Sequence, residues 1–252
     1  MDFEILHYNS KLLRDALEVI SRTTDELYLR VGVESLEVRQ MDPTHTTLIE
    51  LFLPNVEFLE YRLRGDGEEL LLVNLEHLMK ALNRCRGNER VGLKTEEKKL
   101  VVQYPDSKRT FSLPIERRKR DESPQPKLDL RARLTLLNPG ELIDILKDIE
   151  SSDFDVVGLK AEGDRVEITS AGDGTADVRY CKVFERGDSG VGLTCNDGGQ
   201  ESYYKISALK NLLTTKLGPV TLEWGNKIPI RITYEVGRGA LRFTLAPYIM
   251  EE

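Results

Sequence analysis

Chemistry in this chain would have to come from a short set of side chains. Its histidines are His7, His45 and His77, and its cysteines are Cys85, Cys181 and Cys195. Zinc sites gather such ligands at short spacings, and a nucleophile needs a base held beside it. Neither arrangement is present: there is no His-Glu-x-x-His, no paired Cys-x-x-Cys, no Walker-type glycine loop and no Gly-x-Ser-x-Gly elbow. Gly172-Asp173-Gly174 and Gly237-Arg238-Gly239 each lie between strand-like runs and read as hairpin turns. Asp153 and Asp155 could pair on a metal, but acids in a helix-to-strand loop are ordinarily just solvated. The sequence therefore assigns no catalytic residue, no metal ligand and no cofactor. Distant carboxylates can still converge on folding, so a metal-dependent nuclease or other hydrolase stays open as a second reading.

The elements that would position these residues follow a repeated order. After Asn9-Ser10, the stripe Leu13, Ala16, Leu17 and Ile20 predicts a helix. Strands are predicted around Leu27–Val31, Leu36–Val38 and Leu48–Leu53, then a helix carrying Leu75, Leu78, Ala81 and Leu82 and ending at Gly87-Asn88. Strand-like runs return at Val91–Lys94, Leu100–Tyr104 and Thr110–Ile115. In the second half, Asn138-Pro139-Gly140-Glu141 resembles a capping box, and Leu142, Ile145, Leu146 and Ile149 lie 129 positions after the first stripe. Leu209, Leu213, Tyr234 and Phe243-Thr244-Leu245 answer Leu78, Leu82, Tyr104 and Phe111-Ser112-Leu113 at offsets of 130 to 132. Such a steady offset predicts a tandem duplication of a unit with two helices on one side of an antiparallel sheet, an α+β fold.

Charge follows the same division. The 252 residues carry a net charge of −7, with 17 basic and 21 acidic side chains in residues 1–117 and 16 and 20 in residues 127–252. The intervening 118–126 is basic and holds two prolines, which predicts an extended solvated connector rather than a nuclear-import or nucleic-acid patch. A chain this acidic cannot be coated with nucleic acid on every face, though it can carry local basic strips. Scattered cysteines predict a reducing compartment, and no segment reads as a signal peptide or a bilayer-spanning run.

These features together resemble the sliding clamps of the proliferating-cell-nuclear-antigen family, especially the archaeal type. The landmarks are the duplicated half, the connector, Met41-Asp42-Pro43-Thr44-His45 before an apolar strand, Val73-Asn74-Leu75 at the second helix, and Leu245-Ala246-Pro247-Tyr248-Ile249. The resemblance covers essentially the whole chain. It implies the DNA clamp fold: domains at 1–117 and 127–252 joined by 118–126, three copies closing head to tail into a pseudo-six-fold ring, sheets outside and helices lining the hole. The implied activity is topological rather than enzymatic: a polymerase processivity factor that encircles duplex DNA without reading its sequence.

The same resemblance implies three sets of residues. Lys11, Arg14, Arg22, Lys80, Arg84, Lys147, Lys210 and Lys216 would line the hole, although Asp144 stands where the family often has a basic residue. The subunit contact would pair Lys108–Glu116, with Phe111 and Leu113, against Asp177–Phe184, with Arg179 and Cys181; Arg84, Arg86 and Arg109 would meet Asp144 and Asp148. Client peptides would dock among Met41, His45, Leu48, Leu128, Leu130, Ile228, Pro229, Ala246, Pro247, Tyr248 and Ile249. Expected partners are duplex DNA, two further copies of the chain, and DNA polymerase, clamp loader, flap endonuclease and ligase through short motifs, with no membrane. The location would be the archaeal cytoplasm, at the nucleoid, or a eukaryotic nucleus. Within the same class, the chain could instead be one subunit of a heterotrimeric clamp; a monomeric scaffold is a third reading.

Overall fold

The structure, a computed structural model, describes residues 2–65, 67–118, 126–171, 179–196 and 198–249. Most of the expected connector, the turn at Gly172-Asp173-Gly174 and Asp177 lie outside these residues. The first half runs β1 (Asp2–His7), α1 (Ser10–Ile20), β2 (Glu26–Val31), β3 (Ser35–Met41), β4 (Thr47–Pro54), β5 (Phe58–Arg64), β6 (Glu69–Asn74), α2 (Leu75–Leu82), β7 (Val91–Glu96), β8 (Lys99–Tyr104) and β9 (Arg109–Arg117). The second half repeats that order as β10 (Ala132–Leu136), α3 (Pro139–Ser151), β11 (Val156–Glu162), β12 (Arg165–Ala171), β13 (Cys181–Glu185), β14 (Val191–Cys195), β15 (Gln200–Lys205), α4 (Ile206–Asn211), β16 (Val220–Trp224), β17 (Ile230–Val236) and β18 (Gly239–Leu245).

The chain forms two compact units. Unit 1 comprises Met1–His45, Ile49–Pro124 and the hairpin Glu235–Leu241; unit 2 comprises Thr46–Leu48, Gln125–Tyr234 and Arg242–Glu252. In unit 1 the strands order as β4-β3-β2-β6-β9-β8-β7-β1-β5. Strand β9 switches partners along its length: Arg109–Pro114 pair with β8, whereas Ile115–Arg117 pair with β6. In unit 2, β14-β10-β16-β17 form one antiparallel run and β13-β12-β11-β15 another.

Helices form where the apolar stripes predict them. Leu13, Ala16, Leu17 and Ile20 of α1 are buried, as are Leu142, Ile145, Leu146 and Ile149 of α3. Asn9 caps α1 by accepting the N–H groups of Lys11 and Leu12, and Asn138 caps α3 by accepting that of Gly140. The capping box is incomplete, however. Glu141 is directed elsewhere: its carboxylate lies 3.3 Å from Lys182 Nζ. Helix α2 stops at Leu82, before the expected Gly87-Asn88, and α4 is a short helix ending at Asn211.

The duplication is most legible in two buried tyrosines. Tyr104 donates its hydroxyl hydrogen to the Ala81 and Leu82 carbonyls at 3.0 and 3.3 Å. Tyr234 does the same to the Leu212 carbonyl at 3.3 Å and accepts from the Thr214 N–H at 3.0 Å. Each satisfies carbonyls that a helix end leaves orphaned, from inside an apolar core. Thr214 is buried beside this contact. The second helices also start alike: Leu75 N–H donates to the Asp25 carbonyl and Ile206 N–H to the Asp155 carbonyl, both at 2.8 Å.

Candidate nucleic-acid, subunit and peptide surfaces

The basic residues on the helical faces come with their own counterions. Lys11 Nζ lies 3.3 Å and the Arg14 guanidinium 2.7 Å from the buried Asp15 carboxylate, and Arg14 also reaches Cys85 Sγ at 3.3 Å. Lys80 pairs with Glu76 at 2.6 Å, Lys147 with Asp144 at 2.9 Å, Lys210 with Glu150 at 2.5 Å and Arg22 with Glu18 at 3.7 Å. The Lys80 guest keeps the Glu76 carboxyl below its usual range. Six of the eight expected lining cations are thus paired at short range within the chain. Arg84 is exposed with no acidic partner among the described residues, and Lys216 is exposed beyond α4. Such a surface attracts phosphate weakly and diffusely, because each contact must displace or share a carboxylate.

Among the described strands several edges have no strand beside them, the outer edges of β5 and β14 included, and two of these edges carry opposite flanking charge. Residues Arg109–Pro114 of β9 have β8 on one side and no described strand on the other, and β13 has only β12 beside it. Alongside β9 runs a groove of about 550 Å³ lined by His77, Lys80, Ala81, Arg84 and Thr110–Pro114. Phe111 is half-buried there and Leu113 is buried. Alongside β13 the charge is reversed. Glu141, Asp144 and Asp148 fall on one face of α3, and Glu141 contacts Lys182 of β13. Arg179 and Cys181 are exposed at the start of that strand.

Arg109 is placed differently from its sister arginines. It pairs with Glu89 at 2.5 Å, donates to Ser107 Oγ at 2.8 Å and to the Arg84 carbonyl, and lies 4.8 Å over the Tyr104 ring. It is therefore committed to bracing the turn after α2 rather than held out for an acid elsewhere. Arg84 and Arg86 remain exposed on that braced turn.

The third surface is built on β15 in unit 2. Ser202 Oγ donates to the Gly225 carbonyl at 2.6 Å, the Tyr204 hydroxyl donates to the Ile228 carbonyl at 2.9 Å, and Glu201 N–H donates to Asn226 Oδ1 at 2.7 Å. These bonds pin the loop carrying Ile228 and Pro229. The Leu128–Leu130 segment runs against it: Arg131 N–H donates to the Trp224 carbonyl at 2.9 Å, and a side chain on Gly225 would meet the Asp129 carbonyl at 2.7 Å. Tyr248 N–H donates to the Tyr203 carbonyl at 2.7 Å, and Ala246 N–H to the Thr46 carbonyl at 2.9 Å. Leu128, Leu130, Ile228 and Pro229 are half-buried, Leu48 is buried, and Tyr248 and Ile249 are exposed. In unit 1, Met41 is half-buried and His45 is exposed in a left-handed conformation. Leu128 and Leu130 precede β10 and belong to no strand.

Sequence reading missed the residues of β15 that organise this surface. Glu201 hydrogen-bonds the Tyr203 hydroxyl at 2.6 Å, pushing that phenol up to about 12, and Lys205 Nζ lies 5.8 Å from the Tyr248 ring centroid. The alternation in Gln200-Glu201-Ser202-Tyr203-Tyr204-Lys205 was the available signal. Among the described residues no group of three His, Cys, Asp or Glu side chains could hold a metal ion.

Comparison with known proteins points one way. The proliferating cell nuclear antigen N-terminal domain family matches residues 2–120. The chain is 31% identical to a DNA polymerase sliding clamp from Pyrococcus abyssi, with all of both chains covered, and 30% identical to one from Thermococcus sibiricus, again over both full lengths. Its fold is similar to the crystal structure of PCNA from Thermococcus kodakaraensis, with a TM-score of 0.88 at 23% identity over 98% of this chain and 100% of that one. It is also similar to a chain of the PCNA2–PCNA3 complex from Sulfolobus tokodaii, with a TM-score of 0.80 at 24% identity over 97% of this chain and 98% of that one.

Proposed function

The chain belongs to the proliferating-cell-nuclear-antigen family of DNA polymerase sliding clamps, and on that footing we propose that three identical copies close edge to edge around duplex DNA. A sliding clamp raises processivity by topology: a closed ring cannot leave an unbroken circle, whatever the strength of its individual contacts. Within each copy the repeats occupy 1–117 and 127–252, with 118–126 as the connector.

The observation that carries this reading is the pair of bare edges with opposite flanking charge. Unpaired strand edges invite another strand, and a head-to-tail contact that closes makes a ring. Arg109–Pro114 of one copy pair with Cys181–Glu185 of the next, and Arg84 and Arg86 face Asp144 and Asp148. Arg109 supports this contact from its own side by bracing the turn. A subunit carrying both edges with complementary charge suits a homotrimer better than a mixed one, since it supplies both halves of its own contact.

The helical cations hold the duplex loosely. Because most are already paired, phosphates exchange for carboxylates with little net gain, which suits sliding better than gripping. Clients, meaning DNA polymerase, clamp loader, flap endonuclease and ligase, dock short apolar segments on the surface built from Leu128, Leu130, Ile228, Pro229, Tyr248 and Ile249. The protein acts where DNA is replicated, at the archaeal nucleoid.

Retention on DNA tests the topological claim. Ring loaded onto a nicked circle is expected to stay on it at a salt concentration that abolishes ordinary phosphate binding, and to run off within the same interval once the circle is linearised. Equal loss from circular and linear DNA contradicts it.

A further inference from the structure

The surfaces above leave one buried cluster unexplained. Glu57, in the turn after β4, is 4% exposed and His7, at the end of β1, is 2% exposed. Both lie in unit 1, as does the hairpin Glu235–Leu241. Glu57 Oε2 accepts the Arg238 N–H at 2.7 Å. Glu57 Oε1 has no hydrogen bond and faces His7 Nε2 at 3.5 Å. Gly237 sits at φ +59°, and a side chain there would place its first carbon 1.9 Å from Glu57 Oε1. The carboxylate thus fills the space against the turn, so that only glycine fits.

His7 is arranged to exist in two charge states. Its Nδ1 accepts the Asn9 N–H at 3.0 Å, which places the proton of the neutral ring on Nε2, toward Glu57. The Asn9 carbonyl, 2.9 Å from the same Nδ1, is in place to accept a second proton. The ring stacks on Tyr8 at 4.7 Å and meets the edge of Phe58 at 5.5 Å. The groups facing it are Glu57 from the turn, Tyr8 from the chain after β1, and the apolar Phe58 and Val91 from β5 and β7, with Arg238 of the hairpin acting on Glu57 and Tyr8.

We infer that Glu57 is a positioning residue that seats the Gly237–Arg238 turn, and that protonation of His7 unseats it. A buried imidazolium loses its hydration, and the single long contact to Glu57 offsets that loss only in part. Burial accordingly pushes His7 below its ordinary value, against an opposing pull from Glu57. The sign follows. The opened state binds the proton more readily, so the seat is fully stable above the ordinary histidine range and weakens as pH falls through about 6.5 toward the depressed value. Because Gly239 packs directly on the Phe52 carbonyl and Leu53 of β4, losing the seat would uncover a further strand edge. The inference concerns one copy of the chain and stands or falls apart from the ring.

Hydrogen exchange on the full-length protein, corrected for intrinsic pH dependence, reads this out. Protection of the peptide spanning 235–241 is expected to fall at least about threefold between pH 7.5 and 5.5, within the tenfold per pH unit that one linked proton allows. His7→Gln should flatten that profile, and Glu57→Gln should leave its onset at about 6.5 but extend the loss to lower pH, by removing the charge that favours imidazolium in the seated state. As a check that needs no variant, the His7 ring resonances of the wild-type protein should titrate below about 6.5, at the lower end of the pH range over which protection is lost. A wild-type profile without pH dependence, one unchanged by His7→Gln, or a His7 ring that titrates at or above about 6.5 in the folded protein would overturn the inference.

Discussion

Strands β4 and β13 hold the same place in the two halves, fourth of nine, yet one is covered and the other bare. Against β4 lies the start of β18, with Gly239 packed on the Phe52 carbonyl and Leu53. Strand β13 has β12 on one side and no described strand on the other. Strand β18 is itself the counterpart of β9, through Phe243-Thr244-Leu245 and Phe111-Ser112-Leu113. A strand of the β4 type is therefore already seen to accept one of the β18 type within a single chain. The same chain presents an unsatisfied copy of each partner, β13 and the first part of β9. Duplication followed by one internal pairing leaves one pairing over, which a second copy of the chain would supply.

The largest effect should come from spoiling the bare edge alone. Ser170 N–H donates to the Tyr180 carbonyl and Arg186 N–H to the Asp164 carbonyl, which fixes the hydrogen-bonding phase of β12 and β13. In that phase Lys182 and Phe184 bond to β12, and the N–H of Val183 points to the open side. Val183→Pro should therefore leave the subunit folded while removing a donor from the contact, as proline on the free side of an edge strand does. Sedimentation should show a folded monomer; an intact trimer would break the comparison. Next in size is Gly239→Ala at the covered edge. Its new methyl would fall 2.0 Å from the Phe52 carbonyl oxygen. Denaturant unfolding should show a loss of about 3 kcal/mol, the upper part of the usual overpacking range. The smallest effect is expected from Asp144→Lys combined with Asp148→Lys. Exposed ion pairs contribute about 0–1 kcal/mol each, so association should weaken severalfold, more at low salt than at high. An association constant unchanged at low salt would remove these residues from the contact.

What the sequence made readable was whatever repeats locally. Helical stripes at Leu13–Ile20 and Leu142–Ile149, the asparagine caps and the paired Tyr104 and Tyr234 each depend on a few neighbours and survived duplication together. The offset alone announced two similar units. Long-range partnerships were not readable. Nothing local marks β9 as changing partners at Ile115, or sends Glu235–Leu241 into unit 1. His7 gave no hint of burial because its surroundings come from Glu57, Phe58 and Val91, far off in the chain. The basic face of α1 looked stronger in sequence than in space, since Asp15 turns inward yet still neutralises Lys11 and Arg14. Arg109 likewise read as a partner for Asp144 and Asp148, and within its own chain it is held by Glu89 and Tyr104. Charge counts along a chain are legible; which charges remain available after folding is not.

Whether the leftover edges find each other is decided by the solution mass of the purified chain on its own, measured by light scattering or equilibrium sedimentation at neutral pH and moderate salt. Three times the mass of one chain, concentration-independent down to the micromolar range, is the predicted result. A monomer, or a trimer that appears only when a second kind of subunit is added, would contradict the account.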